Sequence, residues 1–64
     1  MLVNGEQKTV QSNVSLYEFL RSEGYDMQRV AVEKNGNIVP KDSFETEMLS
    51  DGDRLEVVCF VGGG

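Results

Sequence analysis

Few residues in this chain of 64 are equipped for catalysis. There is one cysteine and no histidine, and 11 acidic side chains face 6 basic ones, giving a formal net charge of −5. Without histidine the chain lacks the side chain that ordinarily moves protons near neutral pH. Cys59 stands between Val58 and Phe60 in a strand-like run, with no imidazole to activate it. It reads as a packed core residue. One cysteine makes no internal disulfide, and the ligands for an ordinary zinc or iron–sulfur site are too few. The carboxylates are scattered and read as solvated surface charge. No glycine motif of the P-loop or dinucleotide-binding kind occurs.

The unusual feature is Gly62-Gly63-Gly64, which follows the strand-like run directly. Glycine has no Cβ, so such a tail fits a narrow channel that a branched residue would block. Three extended residues reach about 10 Å at ~3.3–3.6 Å each. That distance holds a terminal carboxylate clear of the folded body. A carboxylate is a poor electrophile until it becomes a mixed anhydride, and a slender tail suits having another enzyme make that conversion. Taken alone, the glycines read more simply as a frayed terminus or a cloning remnant.

The body that would carry this tail has clear local signals. Met1-Leu2-Val3, Asn4-Gly5 and Glu6 to Val10 predict a hairpin, because Asn-Gly tolerates two successive positive φ angles. Alternation puts Met1 and Val3 on one face and Leu2 on the other. Residues 14–24 predict a helix. Ser15 and Glu18 have the spacing of a capping box, and Val14 and Phe19 that of a hydrophobic staple. Leu16, Phe19 and Leu20 form one apolar face, and Gly24 suits the left-handed stop. A second hairpin follows, Val30 to Lys34 and Asn37 to Val39 around Asn35-Gly36. Pro40 ends it or confines it to an edge. A short helical turn is expected at 42–45 with Asp42 as its cap, and Phe44, Met48 and Leu49 are expected to fold beneath that loop. Asp51-Gly52-Asp53 is a turn signal. Arg54 to Val61 is the strongest strand. Leu55, Val57, Cys59 and Val61 share one face, and Glu56, Val58 and Phe60 share the other. One helix must cover one sheet face, and this last strand, apolar on both faces, belongs in the centre beside the first.

Hydrophobic residues at 39% and charged residues at 27% are ordinary globular chemistry. The expectation is one domain over 1–61, with 62–64 as a flexible tail. The acidic balance argues against nucleic acid, whose backbone needs clustered Lys and Arg, and suits a basic protein partner. No secretion signal opens the chain and no run of 18 apolar residues occurs, so no membrane span is expected. Cysteine usage points to a reducing, cytoplasmic setting.

Strand order, capped helix, aspartate turn and a strand ending in glycines together resemble the β-grasp, or ubiquitin-like, fold. The resemblance implies an α+β architecture of order ββαβββ, with one helix packed on a mixed five-stranded sheet. More closely, the chain resembles the ThiS family of sulfur carriers in thiamine thiazole biosynthesis, over essentially its whole length. The segments that carry the likeness are Val30-Ala31-Val32-Glu33-Lys34-Asn35, Ile38-Val39-Pro40, Asp51-Gly52-Asp53 and Val58-Cys59-Phe60-Val61-Gly62-Gly63-Gly64. The resemblance implies a protein cosubstrate rather than an enzyme. A ubiquitin-activating-type (ThiF-like) adenylyltransferase would use ATP and Mg²⁺ to adenylate the carboxylate of Gly64. Sulfur supplied by a donor such as a cysteine desulfurase would then leave a thiocarboxylate there, and a ThiG-like thiazole synthase would take it. Gly62 and Gly63 would be the stem that enters the partners' active sites. No cofactor is expected on the chain itself, and a monomer is the default.

If the helix covers the face of Leu55 and Val57, then Val58 and Phe60 point outward and form the centre of the contact with the adenylating enzyme, with Glu56 meeting a basic rim. The alternative is that a loop packs over them. Three other functions remain open on the residues. The small subunit of molybdopterin synthase also ends in Gly-Gly, but such chains usually run longer and place proline before the glycines, where this chain has Val61. A ubiquitin-like modifier would be joined to lysines through the same activated tail. A plain β-grasp interaction module would need no free terminus.

Overall fold

The structure, a computed structural model, describes residues 1–11 and 13–61. Both hairpins turn on Asn-Gly. Asn4 and Gly5 have φ of 51° and 83°, and Asn35 and Gly36 have 53° and 86°. Paired positive φ values give the turn a twist that matches the strands it joins. The first hairpin joins β1 (Leu2–Val3) to β2 (Glu6–Gln7). The second joins β3 (Val30–Lys34) to β4 (Asn37–Val39). β2 stops short of the expected Val10. Lys8 still exchanges main-chain hydrogen bonds with Met1, at 2.8 and 3.1 Å.

The helix α1 (Leu16–Ser22) begins and ends as its sequence dictates. The Ser15 hydroxyl accepts from the Glu18 N–H at 3.1 Å, and the Glu18 carboxylate accepts in return from the Ser15 N–H at 3.5 Å. At the other end Gly24, with φ of 86°, donates to Arg21 O, while Tyr25 donates to Leu20 O. These are the two bonds of a Schellman stop. Leu16, Phe19 and Leu20 face the core, and Leu16 and Leu20 have no exposed surface.

β5 (Arg54–Cys59) is the central strand of a five-stranded sheet ordered β2-β1-β5-β3-β4. It runs parallel to β1 and antiparallel to β3, so the sheet is mixed, as expected. Met1, Val3, Val30, Val32, Val39, Leu55 and Val57 meet the helix in one core. Among the described residues no helix is long and apolar enough to cross a membrane.

Two details of the connection from β4 to β5 differ from expectation. The short 3-10 helix covers Lys41–Ser43, and Asp42 lies inside it instead of capping it. Pro40 precedes it with φ of −63°, and its carbonyl accepts from Ser43, so the turn starts earlier. Phe44 and Leu49 are buried as expected, but Met48 is 45% exposed. Residues 47–49 run extended beside the start of the helix, with Leu16 N–H bonded to Glu47 O and Leu49 N–H to Val14 O. Met48 is bridged to Ser15 in that segment. Alternation therefore turns Leu49 inward and Met48 outward.

Candidate functional site: the outer face and far end of the last strand

The pleat of β5 sorts its side chains. Leu55 and Val57 are buried under the helix, while Glu56, Val58 and Phe60 lie on the opposite, open face. Val58 is 54% exposed and Phe60 61%, so no loop covers them. Val58 stands opposite Ala31, itself exposed, and Glu56 opposite Glu33. Like charges directly across a ladder are destabilising.

Glu33 also pairs with Ile38, which is 78% exposed. Ile38 belongs to the same apolar-and-acidic face, yet sequence reasoning overlooked it as a surface residue. The signal was present: in a strand as short as β4, an inward Val39 forces its neighbour outward.

Cys59 and Val61 correct an expectation. Alternation assigns both to the inward side, but Cys59, the last residue of β5, is exposed, not a packed core residue, and Val61, two residues beyond the strand, is 96% exposed. The reason is length. The seven residues of α1 cover about 10 Å at ~1.5 Å each, whereas β5 spans six residues, about 20 Å. The strand outruns the layer above it. Its bonding on the β3 side nonetheless continues, with Phe60 N–H donating to Arg29 O at 2.7 Å. Gly62, Gly63 and Gly64 lie outside the described residues.

The near end of β5 is fixed by a polar knot. The Asp53 carboxylate, 9% exposed, accepts from Ser50 N–H at 2.8 Å and from the Asn35 side chain at 3.0 Å. Lys34 Nζ lies 3.6 Å from Asp53 and 2.8 Å from Glu47, and donates to Met48 O at 2.9 Å. Burial pushes the Asp53 carboxyl upward, but the bonds from Asn35 and Ser50 and the charge of Lys34 outweigh it and hold it below the ordinary range. The hydrogen bond to Glu47 holds the Lys34 ammonium above its ordinary value, against the effect of burial. These groups are occupied with one another. Among the described residues no set of three His, Cys, Asp or Glu is placed to hold a metal ion.

One helix across a mixed sheet of this order is the β-grasp, ubiquitin-like fold, here with an exposed apolar face on the strand that leads to the glycines. The chain belongs to the ThiS family, whose model matches residues 1–64. The crystal structure of the thiamine biosynthesis protein ThiS from Geobacter metallireducens superposes with a TM-score of 0.82 at 32% identity, covering 98% of this chain and 96% of that one. A thiazole synthase of Paramagnetospirillum magneticum is 41% identical over 64 residues, all of this chain. The ycf40 protein of Pyropia yezoensis is 39% identical over 62 residues, 97% of this chain and 87% of that protein. The chain spans about a fifth of the length of the thiazole synthases it matches.

Proposed function

We propose that this protein carries sulfur for thiamine thiazole formation, with the carboxyl carbon of Gly64 as the point of attachment. The observation that supports the reading most is the ThiS family match over the whole of residues 1–64. In this reading a ThiF-like adenylyltransferase binds ATP and Mg²⁺, and the Gly64 carboxylate attacks the α-phosphate. Pyrophosphate leaves and an acyl-adenylate forms. A sulfur nucleophile then attacks the acyl carbon, and AMP leaves with the bonding pair. Where the sulfur arrives as a persulfide, from a donor such as a cysteine desulfurase, a thiol cleaves the resulting S–S bond and is itself oxidised to a disulfide. The product is a thiocarboxylate, and a ThiG-like thiazole synthase is the acceptor.

The chain's own part is to present and to dock. Gly62 and Gly63 form the stem that enters the partners' active sites. Val58 and Phe60 supply an apolar centre of contact, and Glu56 an acidic rim that speeds encounter with a basic surface. The chain is a cosubstrate, holds no cofactor of its own, and acts as a cytoplasmic monomer with residues 1–61 as its single domain. The deciding experiment is an intact mass after incubation with the adenylyltransferase, ATP, Mg²⁺ and a sulfur donor. The expected gain is the difference between sulfur and oxygen, localised to Gly64. No gain where another ThiS protein gains it would remove the reading.

A further inference from the structure

β5 is hydrogen-bonded on both sides for only part of its length. Towards β3 the ladder continues to Phe60, whose N–H reaches Arg29 O. Towards β1 alternate residues are engaged. Asp53 O accepts from Leu2 N–H at 3.0 Å, and Leu55 O from Asn4 N–H at 2.9 Å. The Asn4 side chain then engages both main-chain groups of Val57. The register with β3 turns the N–H and C=O of Cys59 to this same side, since Cys59 faces Val30 as Val57 faces Val32. Among the described residues the pairing with β1 ends at Leu55, and no hydrogen bond outside the ladders involves either group.

An unpaired strand edge is a template for another strand. The outer edges of the sheet are blunted: β4 is followed directly by Pro40, and β2 is two residues long with both residues exposed. The Cys59 edge, by contrast, adjoins the Val58 and Phe60 face and leads straight to the glycines. The ligand whose donors and acceptors match such an edge is an extended main chain. The Asn4 carboxamide closes the ladder at Val57, so an added strand has a defined starting point at Cys59.

We propose that an extended segment of a thiazole synthase pairs with β5 at Cys59, on its β1 side, and that this pairing aims residues 62–64 into the synthase. The proposal rests on the carrier reading. The synthase is favoured because sequences like this chain make up about a fifth of the matched thiazole synthases, which puts the two in one polypeptide there. Main-chain pairing sets direction and register, and the side chains of Val58 and Phe60 set the choice of partner.

The test is residue-resolved amide hydrogen exchange by NMR on the full chain, alone and with thiazole synthase. Exchange at Cys59 should slow about tenfold or more in the complex, while the Val58 amide, which faces β3, changes less. Cys59→Pro, which deletes the donor, should weaken complex formation about tenfold while the spectrum of the free protein keeps its dispersion. If that variant unfolds, exchange in the parent protein decides alone. A complex in which Cys59 exchanges as fast as in the free chain overturns the inference and leaves the carrier reading standing. Protection that appears without synthase, as the chain's own concentration rises, overturns it in favour of a second copy. No complex with the parent chain overturns the carrier reading as well.

Discussion

The carboxamide of Asn4 lies against the main chain of Val57, accepting from its N–H at 2.7 Å and donating to its carbonyl at 3.1 Å. A turn residue thus stands in for a missing strand residue, and it does so while holding φ at 51°. Glycine takes that φ freely, so Asn4→Gly removes the amide and spares the turn. The expected loss is about 1–3 kcal/mol, from two main-chain groups left without partners. Asn4→Ala should lose about 1 kcal/mol more, because alanine resists positive φ. Urea denaturation of both variants checks the order, and equal stabilities would count against the side-chain ladder.

Ser15 caps α1 and is itself buried. Ser15→Ala should cost about 1 kcal/mol. The loss should appear in the denaturation midpoint with the slope against urea unchanged, since the surface exposed on unfolding is the same.

Phe60 is exposed, so Phe60→Ala should change stability by no more than about 0.5 kcal/mol. Thiocarboxylate formation by the adenylyltransferase should nonetheless slow about tenfold, as expected for an aromatic anchor of an interface. A variant converted as fast as the parent would place the contact elsewhere. The parent's rate should also fall as salt rises, through screening of Glu56 and Glu33.

Asp53 gives stability a dependence on acid. Its carboxyl lies below the ordinary value of 3.8 in the folded chain, so the unfolded chain binds the proton more readily. The contribution is present above the unfolded value and is lost as pH falls through the folded one. Lys34 has the opposite sense: held above 10.5, it contributes below that value and loses its contribution as pH rises through the folded one. Urea midpoints measured from pH 2 to 6 should therefore fall towards acid. Asp53→Asn should be less stable at pH 6 and show a shallower fall, because the titrating carboxyl is gone.

Most of the fold was legible because its signals are local. Asn4-Gly5, Asn35-Gly36, the Ser15–Glu18 box and Gly24 each specify a conformation within four residues, and each adopts it. The central place of β5 followed from its two apolar faces. The misreadings concern how far one layer extends over another. Cys59 and Met48 have side chains suited to a core, but strand length at one and alternation at the other put them outside. At the site, alternation was enough to place Val58 and Phe60 on the open face. The unpaired edge at Cys59 was not legible, since it depends on β1 being only two residues long and on the side chain of Asn4.

Within the sheet, among the described residues, the two hairpins β2-β1 and β3-β4 are bridged by β5 alone. That strand also follows both hairpins in the sequence. A polypeptide halted before Leu55 has the helix and both hairpins but no strand to join the hairpins in one sheet, and hairpins are marginal by themselves. The natively folded body therefore always includes the strand that bears Val58.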